Sequence, residues 1–296
     1  MDKLKFYIVD VFAETKLTGN QLAVFINAKS LGTDKMQRIA KEMNFSETTF
    51  ITSNEDRGNG YDVRIFTPEN ELPFAGHPTL GTAYVIQNEI KKRMVDIINL
   101  NLKVGQIPVS FLSKNNQIDF VWMKLKTPIF EHEYGPEPWT EMLGLEKDDF
   151  EKDYPICEVS AGVFCFIVPL KTLNAVKRAQ INLNKFYEFI KNSNAKATLV
   201  FAKETYKEEN DLNVRFFAHY YGVSEDPATG SANGCLAAYL VKYNYFGENQ
   251  IDVRVEQGYE IGRPSLLLLK AEHKGEDIDI NVGGKVFMVA KGEFFI

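Results

Sequence analysis

The sequence predicts an α+β chain of two pseudo-symmetric domains, each a curved, mostly antiparallel sheet wrapped around a central helix. Three observations lead there. Ala75-Gly-His-Pro-Thr-Leu-Gly-Thr-Ala-Tyr-Val-Ile86 and Thr229-Gly-Ser-Ala-Asn-Gly-Cys-Leu-Ala-Ala-Tyr-Leu240 are two editions of one element, a glycine turn opening an apolar helix. Further matches follow in the same order at a slowly growing offset: 51 with 201 (150), Arg64 with Arg215 (151), Gly76 with Gly230 (154), Gly105 with Gly262 (157) and Ile118 with Ile278 (160). Loop insertions in two related halves produce such drift, and a period of this size is a domain rather than a solenoid repeat. Both glycine-turn helices are apolar or small on nearly all sides, as buried helices are, and strands flank each of them.

The elements follow in order. Phe6 to Phe12 and Leu22 to Ile26 read as strands of an opening hairpin across the Thr18-Gly-Asn20 turn. Thr33 is placed to cap a helix in which Met36, Ile39, Ala40 and Met43 recur at helical spacing. Phe45 to Thr52 and Tyr61 to Thr67 are strands, and Pro78 suits the first turn of the helix that follows. Strands near 94–104, 107–112 and 117–125 complete the first domain, 1–128. The second, 129–284, holds a helix around Leu183–Asn192, repeats the strand, loop and helix at 212–242, and ends in strands near 251–256, 264–271 and 276–282. Residues 285–296 have no counterpart in the repeat and are expected to return to the first domain.

Composition narrows the function. The 296 residues carry a net charge of −6, with 40 acidic and 34 basic side chains scattered along the chain, and the longest basic cluster is Lys91-Lys-Arg93. Nucleic acid is therefore not an expected partner. Three cysteines without a C-x-x-C argue against a disulfide framework and for reduced thiols. The N-terminus lacks a secretory h-region, and no 18-residue apolar run predicts a membrane span, so a cytoplasmic protein is expected.

The two glycine turns are where chemistry is expected. Helix N-termini carry N–H groups without intrahelical partners and a partial positive charge, so two of them facing one cleft would suit a small anionic substrate. Glu47 is placed by strand alternation on the face of Phe45, Thr49 and Ile51, where apolar neighbours raise a carboxyl pKa toward the range useful to a general acid/base. The matching position in the second half is Ala197, so this equipment is one-sided. His77 lies between Gly76 and Pro78, where the helix dipole disfavours its positive charge. Ser231 occupies the matching site, and Asp226-Pro-Ala-Thr-Gly230-Ser places a carboxylate beside it. Each has a plainer reading: an exposed strand glutamate, a packing histidine, an N-cap serine and a turn-opening Asp-Pro. The four histidines show no zinc or iron spacing, and neither G-x-G-x-x-G, Walker A nor G-x-S-x-G is present.

Ser46-Glu-Thr-Thr-Phe50, Ala75-Gly-His-Pro-Thr79 and Glu225-Asp-Pro-Ala-Thr-Gly-Ser-Ala232, with Val9-Asp-Val-Phe and Thr18-Gly-Asn-Gln-Leu-Ala-Val24, resemble the phenazine-biosynthesis PhzF-like isomerase family. The resemblance covers nearly the whole chain. It implies the diaminopimelate-epimerase-like fold, no metal or organic cofactor, and a homodimer. It further implies that Glu47 shuttles a proton while His77, Asp226 and Ser231 position the substrate beside the Gly76 and Gly230 backbones. The related two-thiol epimerases carry a cysteine before each glycine turn, where this chain has Ala75 and Thr229. Cys235, inside the second apolar helix, is expected in the core. The leading expectation is a cofactor-independent isomerase moving a proton within a small carboxylate-bearing substrate. The alternatives are a non-catalytic ligand-binding protein of the same fold and a racemase of amino or hydroxy acids.

Overall fold

A computed structural model describes residues 3–53, 60–115 and 117–296. The chain forms two compact units, one of residues 1–124 and 283–296 and the other of residues 125–282.

In chain order the elements are β1 (Lys3–Val11), β2 (Asn20–Phe25), α1 (Thr33–Met43), β3 (Glu47–Ile51), β4 (Tyr61–Phe66), β5 (Glu71–Leu72), α2 (Gly76–Val85), β6 (Ile97–Leu102), β7 (Gly105–Lys114) and β8 (Gln117–Lys124). There follow β9 (Ile129–Tyr134), α3 (Glu137–Leu143), β10 (Ile156–Ser160), β11 (Phe164–Pro169), α4 (Leu173–Arg178), α5 (Leu183–Phe189), β12 (Thr198–Ala202), β13 (Leu212–Ala218) and β14 (Val223–Asp226). The chain closes with α6 (Gly230–Lys242), β15 (Gln250–Gln257), β16 (Ser265–Lys274), β17 (Asp277–Gly284) and β18 (Val286–Phe295).

The duplication is written in the strand pairing. In the first unit β18, β1 and β2 pair antiparallel, β2 and β3 parallel, β3 and β4 antiparallel, and β4 then takes β5 antiparallel and β6 parallel before β6 turns back on β7. The second unit repeats this rung for rung with β9, β10, β11, β12, β13, β14, β15 and β16. Parallel neighbours need a crossover, usually helical. Accordingly α1 joins β2 to β3 and α2 joins β4 to β6, while α4 with α5 and then α6 serve the second unit.

In α2 Leu80, Gly81, Thr82, Ala83 and Val85 are all buried, as are residues 232–241 of α6. Gly81 sits where helix and sheet touch: a Cβ there would stand 2.6 Å from Leu22 Cδ2 and 2.9 Å from Val11 Cγ2. The opposite face of the first sheet is closed by α1, with Met36, Ile39 and Ala40 against Phe25, Phe50 and Phe66.

The structure departs from the sequence reading in three places. Phe45 does not share a face with Thr49 and Ile51. It lies in a bend before β3 and packs into the α1 cluster with Phe50, because the bend breaks the alternation. Thr33 is the first residue of α1, after a Gly32 cap, and its hydroxyl accepts from Arg64 Nη2 at 3.0 Å. The short helices α3 and α4 were not expected; with α5 they cover a second cluster built on Trp139, Phe166 and Phe186. Thr172 caps α4 by accepting from the Ala175 amide at 3.1 Å.

Candidate active site

Each glycine turn is held by the same device. Arg64 bonds Glu71 twice, Nε to Oε1 at 2.8 Å and Nη2 to Oε2 at 2.7 Å, and Arg215 bonds Glu225 in the same fork at 2.9 and 2.7 Å. Each guanidinium also lies over the phenylalanine two residues on, Phe66 or Phe217, at 5.1 or 4.7 Å from the ring centre. These forks clamp β5 to β4 and β14 to β13, the short strands that lead into α2 and α6. Inside each turn Thr79 Oγ1 donates to the Ala75 carbonyl at 2.7 Å, and Asn233 Nδ2 donates to the Thr229 carbonyl at 3.0 Å. Equivalent positions of the repeat thus tie the first helical turn back to its cap with different chemistry.

In the first unit the structure brings Glu47 and His77 together. Glu47 opens β3 beside Leu22 of β2, with its side chain 16 % exposed, and its Oε2 lies 3.4 Å from His77 Nε2. Thr49, on the same face, shares a 2.8 Å hydrogen bond with Thr82 of α2, which seats the strand on the helix. Gly76 and His77 are the first two residues of α2, after the Ala75 cap, and both are buried. Burial is the chief reason that the His77 imidazole titrates far below its usual range, near pH 3, and the Gln21 backbone carbonyl opposes that shift. The contact with Glu47 is therefore not an ion pair at neutral pH, since the ring is uncharged. The ring is thus held neutral, as expected from sequence, with burial as the leading cause. The other ring nitrogen, Nδ1, lies 3.1 Å from Asn20 Nδ2.

In the second unit the structure groups Asp226, Gly230 and Ser231. Asp226 ends β14 and is buried, and the Thr229 hydroxyl donates to its Oδ2. Thr229 is the cap of α6, so Ser231 is not an N-cap; it is the second residue of the helix and half-buried. Gln257, fully buried, fixes the loop between them: its Nε2 donates to the Asp226 carbonyl at 2.8 Å, while its Oε1 accepts from the Thr229 amide at 3.2 Å and from Asn233 Nδ2 at 2.8 Å. Gly258 follows with φ +79°, and a Cβ there would stand 2.6 Å from the Pro227 carbonyl oxygen. Cys235 is buried, as expected, and its sulfur accepts from the Ala161 amide at 3.2 Å.

Sequence reasoning missed Asn20 and Gln257. A polar residue closing an apolar alternation just before Gly258 was the available signal for Gln257. Asn20 had only the turn in which it sits, 57 residues from its partner. Among the described residues no group of three or more His, Cys, Asp and Glu is placed to hold a metal ion, and no helix is long and apolar enough to cross a membrane.

Residues 9–292 match the family described as phenazine biosynthesis-like protein, PhzC-PhzF. The chain belongs to this family. The PhzC-PhzF relatives include the trans-2,3-dihydro-3-hydroxyanthranilate isomerase of Pseudomonas aeruginosa, 34 % identical over 296 residues and covering 99 % of each chain. The crystal structure of a PhzF-family phenazine biosynthesis protein from Bacillus anthracis superposes with a TM-score of 0.90 over 100 % of each chain, at 28 % identity. A hydroxyproline epimerase from Agrobacterium vitis, 9 % identical and covering 99 % and 91 % of the two chains, shares the fold at a TM-score of 0.65. The chain is an isomerase of the PhzF-like type.

Proposed function

We propose that the protein is a cofactor-independent isomerase that moves a proton between two carbons of a small carboxylate-bearing substrate. Glu47 is the acid/base. Its carboxylate removes a proton from an activated C–H, the double bond shifts within the substrate, and the Glu47 carboxyl, after exchange with solvent, delivers one proton to the second carbon, so composition and charge balance. His77, Asp226 and Ser231 position the substrate, and the amides at Gly76 and Gly230 stabilise the negative charge that develops. Preorganised donors of this kind contribute about 3–4 kcal/mol each at a forming oxyanion.

One observation carries this reading: a half-buried carboxyl group at a strand start, 3.4 Å from a buried neutral imidazole on a helix N-terminus. General acid/base transfer uses a carboxyl group held in a fixed position within reach of the proton it moves. The name of the Pseudomonas aeruginosa relative makes dihydroanthranilate-type acids the first substrates to try.

The test is incubation with such acids in deuterated water, followed by NMR. Deuterium at a new carbon with a shifted double bond supports the isomerase. Label at the original carbon with inversion would make the protein a racemase, and binding with neither a shifted double bond nor exchange would make it a non-catalytic member of the fold.

A further inference from the structure

We propose that Asn20 is a positioning residue for this reaction, fixing the His77 ring so that its Nε2–H faces Glu47. The proposal rests on the isomerase reading and adds to it a residue and a tautomer.

Asn20 is the first residue of β2 and 1 % exposed, and its Nδ2 lies 3.1 Å from His77 Nδ1. An amide NH2 only donates, so Nδ1 must offer its lone pair. A neutral imidazole has a single N–H, which then resides on Nε2. That nitrogen is buried, makes no hydrogen bond among the described residues, and stands 3.4 Å from Glu47 Oε2. The tautomer that Asn20 selects therefore sets a hydrogen-bond donor beside the proposed acid/base. The opposite tautomer would turn a lone pair toward a carboxylate and repel it.

A second neighbour competes for the ring. The Gln21 backbone carbonyl also bonds it, and at Nδ1 such a carbonyl would favour Nδ1–H. The positioning role assigned to Asn20 is that its amide, 3.1 Å from Nδ1, prevails over this carbonyl. A buried asparagine with a purely structural role would set the tautomer without affecting kcat, and this separates the positioning role from a structural one.

The experiment is nitrogen-15 NMR of histidine-labelled protein at pH 7, with the His77 signals among the four histidines assigned by their loss in His77→Gln. The wild-type ring should be protonated at Nε2. Asn20→Asp, which replaces the donor by an acceptor of the same shape, should bring a proton to Nδ1. In Asn20→Asp and Asn20→Ala kcat should fall by about tenfold or more while KM stays within about twofold. Protonation at Nδ1 in the wild-type protein would overturn the proposal, as would an unchanged kcat in Asn20→Asp with its tautomer inverted. The tautomer is read without substrate, so the two readings fail separately. An active wild-type enzyme with Nδ1–H defeats the role of Asn20 alone. A wild-type protein with Nε2–H that turns over no substrate defeats the isomerase reading, and the positioning role of Asn20 with it.

Discussion

Arg215 grips Glu225 through two near-parallel hydrogen bonds, and each side chain is only 9 % exposed. The guanidinium's remaining donor, Nη1, reaches the carbonyls of Val176, Lys177 and Ala179, so this one group ties β14, β13 and the end of α4 together. Removing one partner of a buried pair leaves the other charge uncompensated, at a cost of about 3–5 kcal/mol. Arg215→Ala should lower stability by that order in urea titrations. Arg64→Ala should cost clearly less, because Arg64 is 28 % exposed and Glu71 keeps a second partner in Lys103, 2.7 Å away. Equal losses in the two variants would contradict this account.

Glu47→Gln keeps the shape of the side chain and removes its capacity to take a proton. Turnover should fall by about 10²–10⁴-fold, while binding of a carboxylate inhibitor, read by calorimetry, changes little. Full activity in this variant would remove Glu47 from the mechanism.

The buried imidazole gives stability a pH dependence of definite sign. His77 titrates near 3 when folded and near 6.5 when unfolded. Between those values the unfolded chain binds a proton that the folded chain refuses, so this contribution is complete above pH 6.5 and lost as the pH falls. The slope should approach about 1.4 kcal/mol per pH unit. Denaturation midpoints measured from pH 7 to pH 4 should fall less steeply in His77→Asn than in the wild type, whatever the two proteins' absolute stabilities.

Gly258→Ala should disturb the second turn without touching a substrate-binding side chain. The position needs a positive φ, and an added methyl would press on the Pro227 carbonyl oxygen. A loss of about 1–3 kcal/mol is expected, together with a raised KM as the Asp226 to Ser231 loop shifts.

Much of this was legible from residue order. The duplication and the two buried helices follow from periodic patterns and matched motifs, which local sequence encodes directly. Glu47 and His77 were each singled out, but their 3.4 Å contact joins residues 30 apart and only the fold shows it. The aim of Phe45 did not follow, since a two-residue bend reverses the alternation that would have placed it with Thr49. The α3 and α4 helices were hidden by their length of 7 and 6 residues, too short for apolar spacing to repeat. Asn20 and Gln257 were hidden for another reason: their partners are distant in sequence, and only the closed sheet brings an amide to a ring or a loop.

The antiparallel ladder between β1 and β18 runs from Lys3 opposite Phe295 to Val11 opposite Val286. One unit is a continuous stretch of chain and the other is completed by a strand encoded after all of it. On the ribosome, the stretch 125–282 has every one of its residues available while the earlier-made half still waits, its edge open, for the last strand to emerge. The unit begun first is thus the last to have all of its residues made.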